Sequence, residues 1–101
     1  MRFNIFFSRY FETQLERIKD TILINKKLDL LEINPFRFKS VTGKRFVFAI
    51  KIRLNGYKRL IYEIEPSLRK VFVFGLFERR KDYKDFEKFY KKYLKNNIML
   101  L

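Results

Sequence analysis

Ile50-Lys51-Ile52-Arg53-Leu54-Asn55-Gly56-Tyr57-Lys58-Arg59-Leu60-Ile61-Tyr62 is the stretch on which the fold of this chain turns. Two runs rich in β-branched and aromatic residues, 45–54 and 57–65, flank Asn55-Gly56, a strong signal for a tight hairpin. Two turn geometries suit that dipeptide. A two-residue turn pairs Leu54 with Tyr57 and sets Lys51 opposite Leu60, so that both faces mix charge with large apolar groups. A three-residue turn, with Gly56 in the left-handed conformation, pairs Arg53 with Tyr57 instead. Phe46, Phe48, Ile50 and Ile52 then share a face with Leu60, Tyr62 and Ile64. Val47, Ala49, Lys51, Arg53, Tyr57, Arg59 and Ile61 take the other face, and Lys58 near the tip is the one charge on the apolar side. A one-residue slip exchanges every side chain between faces, and each large apolar group moved is worth about 1.5–3 kcal/mol. Burial therefore selects the three-residue turn.

The selected register has an electrostatic cost. Lys51 lies directly opposite Arg59, with Arg53 beside Tyr57, and like charges across a strand pair destabilise a sheet. An anion is the simplest compensating partner. The plainer alternative is a solvated face that Glu63 partly neutralises.

Outward from the hairpin, Pro66-Ser67 marks a turn, and Val71 to Phe77 is a near-continuous apolar run, as in a strand buried on both faces. From about Asp82 the pattern becomes helical, with Phe86, Phe89, Tyr90 and Tyr93 on one side and lysines largely on the other. Upstream, residues 2–7 read as a strand. Ser8 is a plausible N-cap for a helix whose Phe11, Leu15, Ile18 and Ile22 form one stripe. Leu28, Leu30 and Leu31 belong to a second short helix that stops at Asn34-Pro35, with a bend between the two helices near residues 20–26. Residues 35–44, including Gly43, form a loop. The order is β-α-α-β-β-β-α: an α+β domain spanning residues 1–101, with an antiparallel twisted sheet, the two N-terminal helices on one face, and a C-terminal helix.

Composition narrows the chemistry. The chain has no Cys and no His, which excludes disulfides, thiolate nucleophiles, His-based ribonuclease chemistry and ordinary zinc sites. The acidic residues form no ligand-like cluster, so no metal and no cofactor is expected. Acid–base work near neutral pH then falls to Lys, Tyr, Arg, Asp or Glu. A net charge of +13 on 101 residues favours a polyanionic partner, nucleic acid before an anionic membrane surface. No apolar run approaches the roughly 20 residues that span a bilayer, and the N-terminus lacks a signal-peptide cleavage site, so a cytoplasmic location is the default.

The hairpin resembles that of RelE-type toxins of the RelE/ParE superfamily, in which a basic strand and a turn precede an Arg-aliphatic-aliphatic-Tyr strand. Asn34-Pro35 and the loop to Gly43 resemble the family's stretch before that hairpin. Val71 to Tyr83, an apolar strand ending in Glu78-Arg79-Arg80-Lys81-Asp82-Tyr83, is similar to its final strand and the basic cluster beyond it. The resemblance covers essentially the whole chain, through motifs in the right order rather than one diagnostic motif.

The resemblance implies a toxin of a toxin–antitoxin pair: a metal-independent endoribonuclease that enters the ribosomal A site and cuts messenger RNA by activating a ribose 2′-hydroxyl against the adjacent phosphate. By position it implies catalytic roles for Lys51, Arg59, Arg79 (or Arg80) and Tyr83. RNA contacts are expected from Lys44, Arg45, Arg53, Tyr57, Lys58, Arg80 and Lys81, together with contacts to 16S-type ribosomal RNA. Guanidinium groups bind phosphate oxygens bidentately and stabilise developing charge. The implied partner is a RelB-like antitoxin with an acidic amphipathic segment that covers the basic face or displaces the last helix. Three departures stand out: Ala49 occupies the place of a second family lysine, the spacing to Tyr83 is shorter, and one residue is inserted after Gly56-Tyr57. Rival readings are a catalytically weak or inactive homologue, a ParE-like inhibitor of DNA gyrase, and a last helix lying on an anionic membrane.

Overall fold

In chain order the elements are β1 (Asn4–Phe7), α1 (Arg9–Glu16), α2 (Ile22–Ile33), β2 (Lys39–Ser40), β3 (Val47–Arg53), β4 (Tyr57–Glu65), β5 (Lys70–Phe77) and α3 (Arg80–Leu100). They come from a computed structural model that describes residues 2–54 and 56–100, side chains at 80–82 and 96–100 excepted. Single 3-10 turns, Pro35–Arg37 and Pro66–Leu68, punctuate the chain.

The central hairpin forms in the register that burial selects. Lys51 pairs with Arg59 and Arg53 with Tyr57, Gly56 has φ +107°, and the Leu54 amide donates to the Gly56 carbonyl at 2.7 Å. Ile50, Ile52, Leu60, Tyr62 and Ile64 are buried against Phe11, Ile24, Leu28 and Leu31 of α1 and α2. The first helix starts where the capping signal sits. Ser8 Oγ accepts from the Phe11 amide at 2.9 Å and donates to the Phe74 carbonyl at 2.6 Å, so a single hydroxyl caps α1 and docks it on β5.

The structure corrects or completes the expected architecture in four places. The sheet order is β1-β5-β4-β3-β2, and β1 runs parallel to β5, so the sheet is mixed rather than wholly antiparallel. Hairpin signals constrain only strands that are neighbours in sequence, and β1 returns to the sheet edge after a helical excursion. Second, α3 covers the opposite face from α1 and α2: Phe86, Phe89, Tyr90 and Tyr93 pack on Val47, Ile61, Phe74 and Phe77. This arrangement explains why the β5 run is apolar on both sides. Third, the loop before the hairpin contains the two-residue strand β2, too short and polar to leave an apolar signature. Fourth, α1 ends at Glu16, and Ile22 is an exposed first residue of α2 rather than part of the α1 stripe.

Tyr62 ties the sheet to the turn that precedes β2. Fully buried, it donates its hydroxyl to the Pro35 carbonyl at 2.6 Å, and burial pushes its pKa well above the ordinary 10.0. Above pH 10 the unfolded chain ionises this phenol while the folded one keeps its proton. The unfolded state then binds fewer protons, and stability falls as pH rises, by about 1.4 kcal/mol per pH unit for this group. Tyr62→Phe should remove that increment between pH 10 and 11, and should cost about 1–3 kcal/mol at pH 7 by leaving the Pro35 carbonyl without its donor. Urea unfolding of both proteins across pH 7–11 measures the two effects.

Candidate active site

The face of the hairpin away from α1 and α2 is not all covered by α3. Val47 and Ile61 lie under the helix, but toward the hairpin tip the sheet opens into a cleft of about 760 Å3. Its walls carry four side chains from four places in the chain: Lys51 on β3, Arg59 on β4, Arg79 just past β5, and Tyr83 at the start of α3. These are the four expected catalytic residues, and the fold brings all of them together.

Each is placed by local geometry. Strand pairing sets Lys51 opposite Arg59, and Arg59 opposite Phe77. Arg79 reaches the same face because β5 contains a bulge. Ile61 pairs with Gly75 and Tyr62 with Val73, leaving Phe74 as the extra residue. Before the bulge, Val71 and Val73 face α1 and α2. After it, Leu76 does, while Phe77 faces α3. The parity switch turns Arg79, two residues beyond Phe77, toward the cleft. Tyr83 sits at φ +63°, a left-handed value uncommon for an aromatic residue.

Charge in the cleft is left open. Among the described residues Lys51, Arg59 and Arg79 make no ion pair. The Lys51 ammonium instead rests 4.1 Å from the centre of the Tyr57 ring, which Arg53 also approaches at 5.8 Å. Tyr57 thus steers Lys51 with one face of an exposed ring.

The other expected RNA contacts divide. Arg53 and Tyr57 flank the cleft at the hairpin tip. Lys44 is turned away: 13% exposed, it pairs with Glu87 at 2.5 Å and lies over the Tyr90 ring, so it pins the loop to α3. Lys58 alternates to the opposite face and pairs with Glu78 at 2.6 Å. Arg45 is exposed beside Phe46 and does not line the cleft. The side chains of Arg80 and Lys81, like the apolar end of the chain, lie outside the described residues. Sequence reasoning missed Arg37, Lys39, Ser40, Thr42 and Glu87, which also line the cleft. The basic and hydroxyl residues of 37–42 were the available signal, but a loop offers no periodicity from which to infer the direction of a side chain.

Burial, aided by the charges of Glu63 and Glu87, raises the Tyr90 pKa. Burial likewise raises that of Glu63, which a hydrogen bond from Tyr93 partly offsets. Both belong to the packed end of the α3 interface rather than to the open cleft. Among the described residues no group of three His, Cys, Asp or Glu is placed to hold a metal, and no helix is long and apolar enough to cross a membrane.

A five-stranded mixed sheet with helices on both faces is a fold already seen in solved structures. That fold is RelE's. A double arginine-to-alanine mutant of the E. coli toxin RelE in the free state superposes with a TM-score of 0.72 at 19% identity, covering 95% of this chain and 98% of that one. The isolated E. coli RelE toxin matches with a TM-score of 0.59 at 23% identity, over 85% and 96% of the two chains. A chain of the intact E. coli RelBE toxin–antitoxin complex matches with a TM-score of 0.59 at 22% identity, over 73% and 93%. No protein-family model matches the sequence, and no curated protein matches it either. The chain therefore shares its fold, though little of its sequence, with RelE.

Proposed function

We propose that this protein is the toxin of a toxin–antitoxin pair and a metal-independent endoribonuclease that cuts messenger RNA in the ribosomal A site. The observation that carries this reading is the convergence of Lys51, Arg59, Arg79 and Tyr83 in one cleft of a RelE fold, the three cations making no ion pair among the described residues. The 2′-oxygen attacks the adjacent phosphorus, the bond from phosphorus to the 5′-oxygen breaks, and a cyclic phosphate and a 5′-hydroxyl result. Arg59 and Arg79 hold the phosphorane oxygens, whose charge grows in the transition state. Lys51 and Tyr83 flank the reacting atoms and move the protons, one accepting from the 2′-hydroxyl and the other supplying the leaving oxygen. Arg53 and the exposed Tyr57 ring hold the flanking nucleotides.

The antitoxin, on this reading, is a RelB-like chain whose acidic amphipathic segment neutralises the open cleft. Contacts of the remaining basic surface with 16S-type ribosomal RNA orient the toxin on the ribosome. Induced expression with primer extension on a reporter messenger tests the proposal, the expected result being translation-dependent cuts within codons. Intact messenger with stalled replication would move the protein to the gyrase inhibitors. Unaffected growth with salt-sensitive RNA binding would make it an inactive homologue, the reading that Ala49 favours.

A further inference from the structure

The edge strand β2 adds a cation to the cleft. Lys39 pairs directly across from Ala49, and Ser40 from Phe48. Directly paired residues point to the same side of a sheet, so Lys39 shares the face of Ala49, Lys51 and Arg59, and it lines the cleft with them. Lys51 is its diagonal neighbour, at a backbone separation of about 7–8 Å. Ala49, the one residue between them on that face, contributes only a methyl group, so no bulky side chain separates the two ammonium groups.

Lys39 and Lys51 differ in their ion pairing from Lys44 and Lys58. Lys44 has Glu87 and Lys58 has Glu78. Lys39 makes no ion pair among the described residues and is exposed. The acidic residue that lines the cleft, Glu87, is already engaged by Lys44. An edge lysine also discourages strand addition, but that role is met on either face of the edge. Placement on the cleft face, diagonal to Lys51, puts a second uncompensated ammonium where an anion must bridge the two.

We infer that Lys39 is a phosphate-binding residue of this cleft, holding a single-stranded RNA phosphate together with Lys51 across the gap left by Ala49. The inference rests on the reading of the cleft as an RNA site. The test measures binding of a short single-stranded RNA with a 2′-deoxy scissile nucleotide from 50 to 300 mM salt, beside cleavage of an all-ribose messenger in the A site of programmed ribosomes.

Lys39→Ala should weaken binding by about ten- to a hundredfold. It should also flatten the slope of log affinity on log salt by about 0.7, the signature of one lost phosphate contact on a single strand. Lys39→Arg should keep both, and Lys39→Ala with Ala49→Lys should restore both from the neighbouring strand. Unchanged affinity and slope in Lys39→Ala, with wild type active, would overturn the inference alone. So would weaker binding with the full slope, because Lys39 would then act through structure. Wild type that neither binds nor cuts RNA overturns the RNA reading and this inference together.

Discussion

Arg59→Ala should lower RNA cleavage by about a hundred- to a thousandfold while leaving the fold intact. The size follows from the position of the guanidinium. It rises from β4 between Lys51 on one strand and Phe77 on the other, over the cleft that Arg79 and Tyr83 close. A preorganised donor aimed at charge that develops in the transition state is worth about that factor in rate. The stability change has an informative sign. Arg59 has no ion pair among the described residues and stands directly opposite Lys51, so its removal relieves a like-charge pair and should raise stability by a few tenths of a kcal/mol. Loss of activity with a melting temperature equal to or above wild type marks a residue kept for function against the interest of the sheet. Arg59→Lys should fall between the two, because a point charge replaces a planar fork. Cleavage kinetics on one RNA, beside thermal melts of the three proteins, decide it. Wild-type rates in Arg59→Ala would remove the arginine from the chemistry.

The hairpin was legible because two independent signals agreed, the Asn55-Gly56 dipeptide and the face segregation that only one register permits. That register alone carries Lys51 and Arg59 into the site, so half of the expected catalytic set followed from local rules. Arg79 and Tyr83 required more. A strict alternation along β5 would have turned Arg79 to the wrong face, and the correction lies in a bulge whose sequence mark is a lone glycine in an apolar run. The resemblance, not periodicity, placed Arg79 in the site. Lys39 was illegible for a different reason. Two polar residues make no strand signal, and their pairing with β3 is a tertiary event that closes the loop from Pro35 to Gly43. Lys44 and Lys58 show the converse failure. Positive charge near the right segment suggested RNA contacts, but carboxylates distant in sequence, Glu87 and Glu78, engage both. Charge can be counted from sequence, whereas its neutralisation depends on which segments meet.

Gly75→Ala should be the most damaging single-methyl change in the chain. Gly75 has φ +151°, a conformation that side chains rarely adopt, and forcing alanine into it costs about 1–3 kcal/mol. The space is also taken. A Cβ there would stand 2.8 Å from Gln14 Oε1 and 2.9 Å from Tyr10 Cδ2. Gln14 cannot yield freely, because its amide clamps the bulge from α1: Nε2 donates to the Leu76 carbonyl at 2.8 Å and Oε1 accepts from the Leu76 amide at 2.7 Å. Tyr10 is held as well, stacked on Phe77 at 5.6 Å. Strain plus the loss of two hydrogen bonds amounts to about 3–5 kcal/mol, a large part of the stability of a domain this size. The melting temperature should fall by roughly 15–30 °C. Gly43→Ala is the control, since Gly43 shares a positive φ of +80° but meets no atom within 4 Å, and only the backbone cost remains. The bulge also links stability to chemistry. If the protein relaxes by shifting the bulge, Phe77 and Arg79 both turn to the face of α1 and α2, and cleavage is lost even well below the melting temperature. A Gly75→Ala protein that melts and cuts like wild type would show that neither the fold nor Arg79 depends on the bulge.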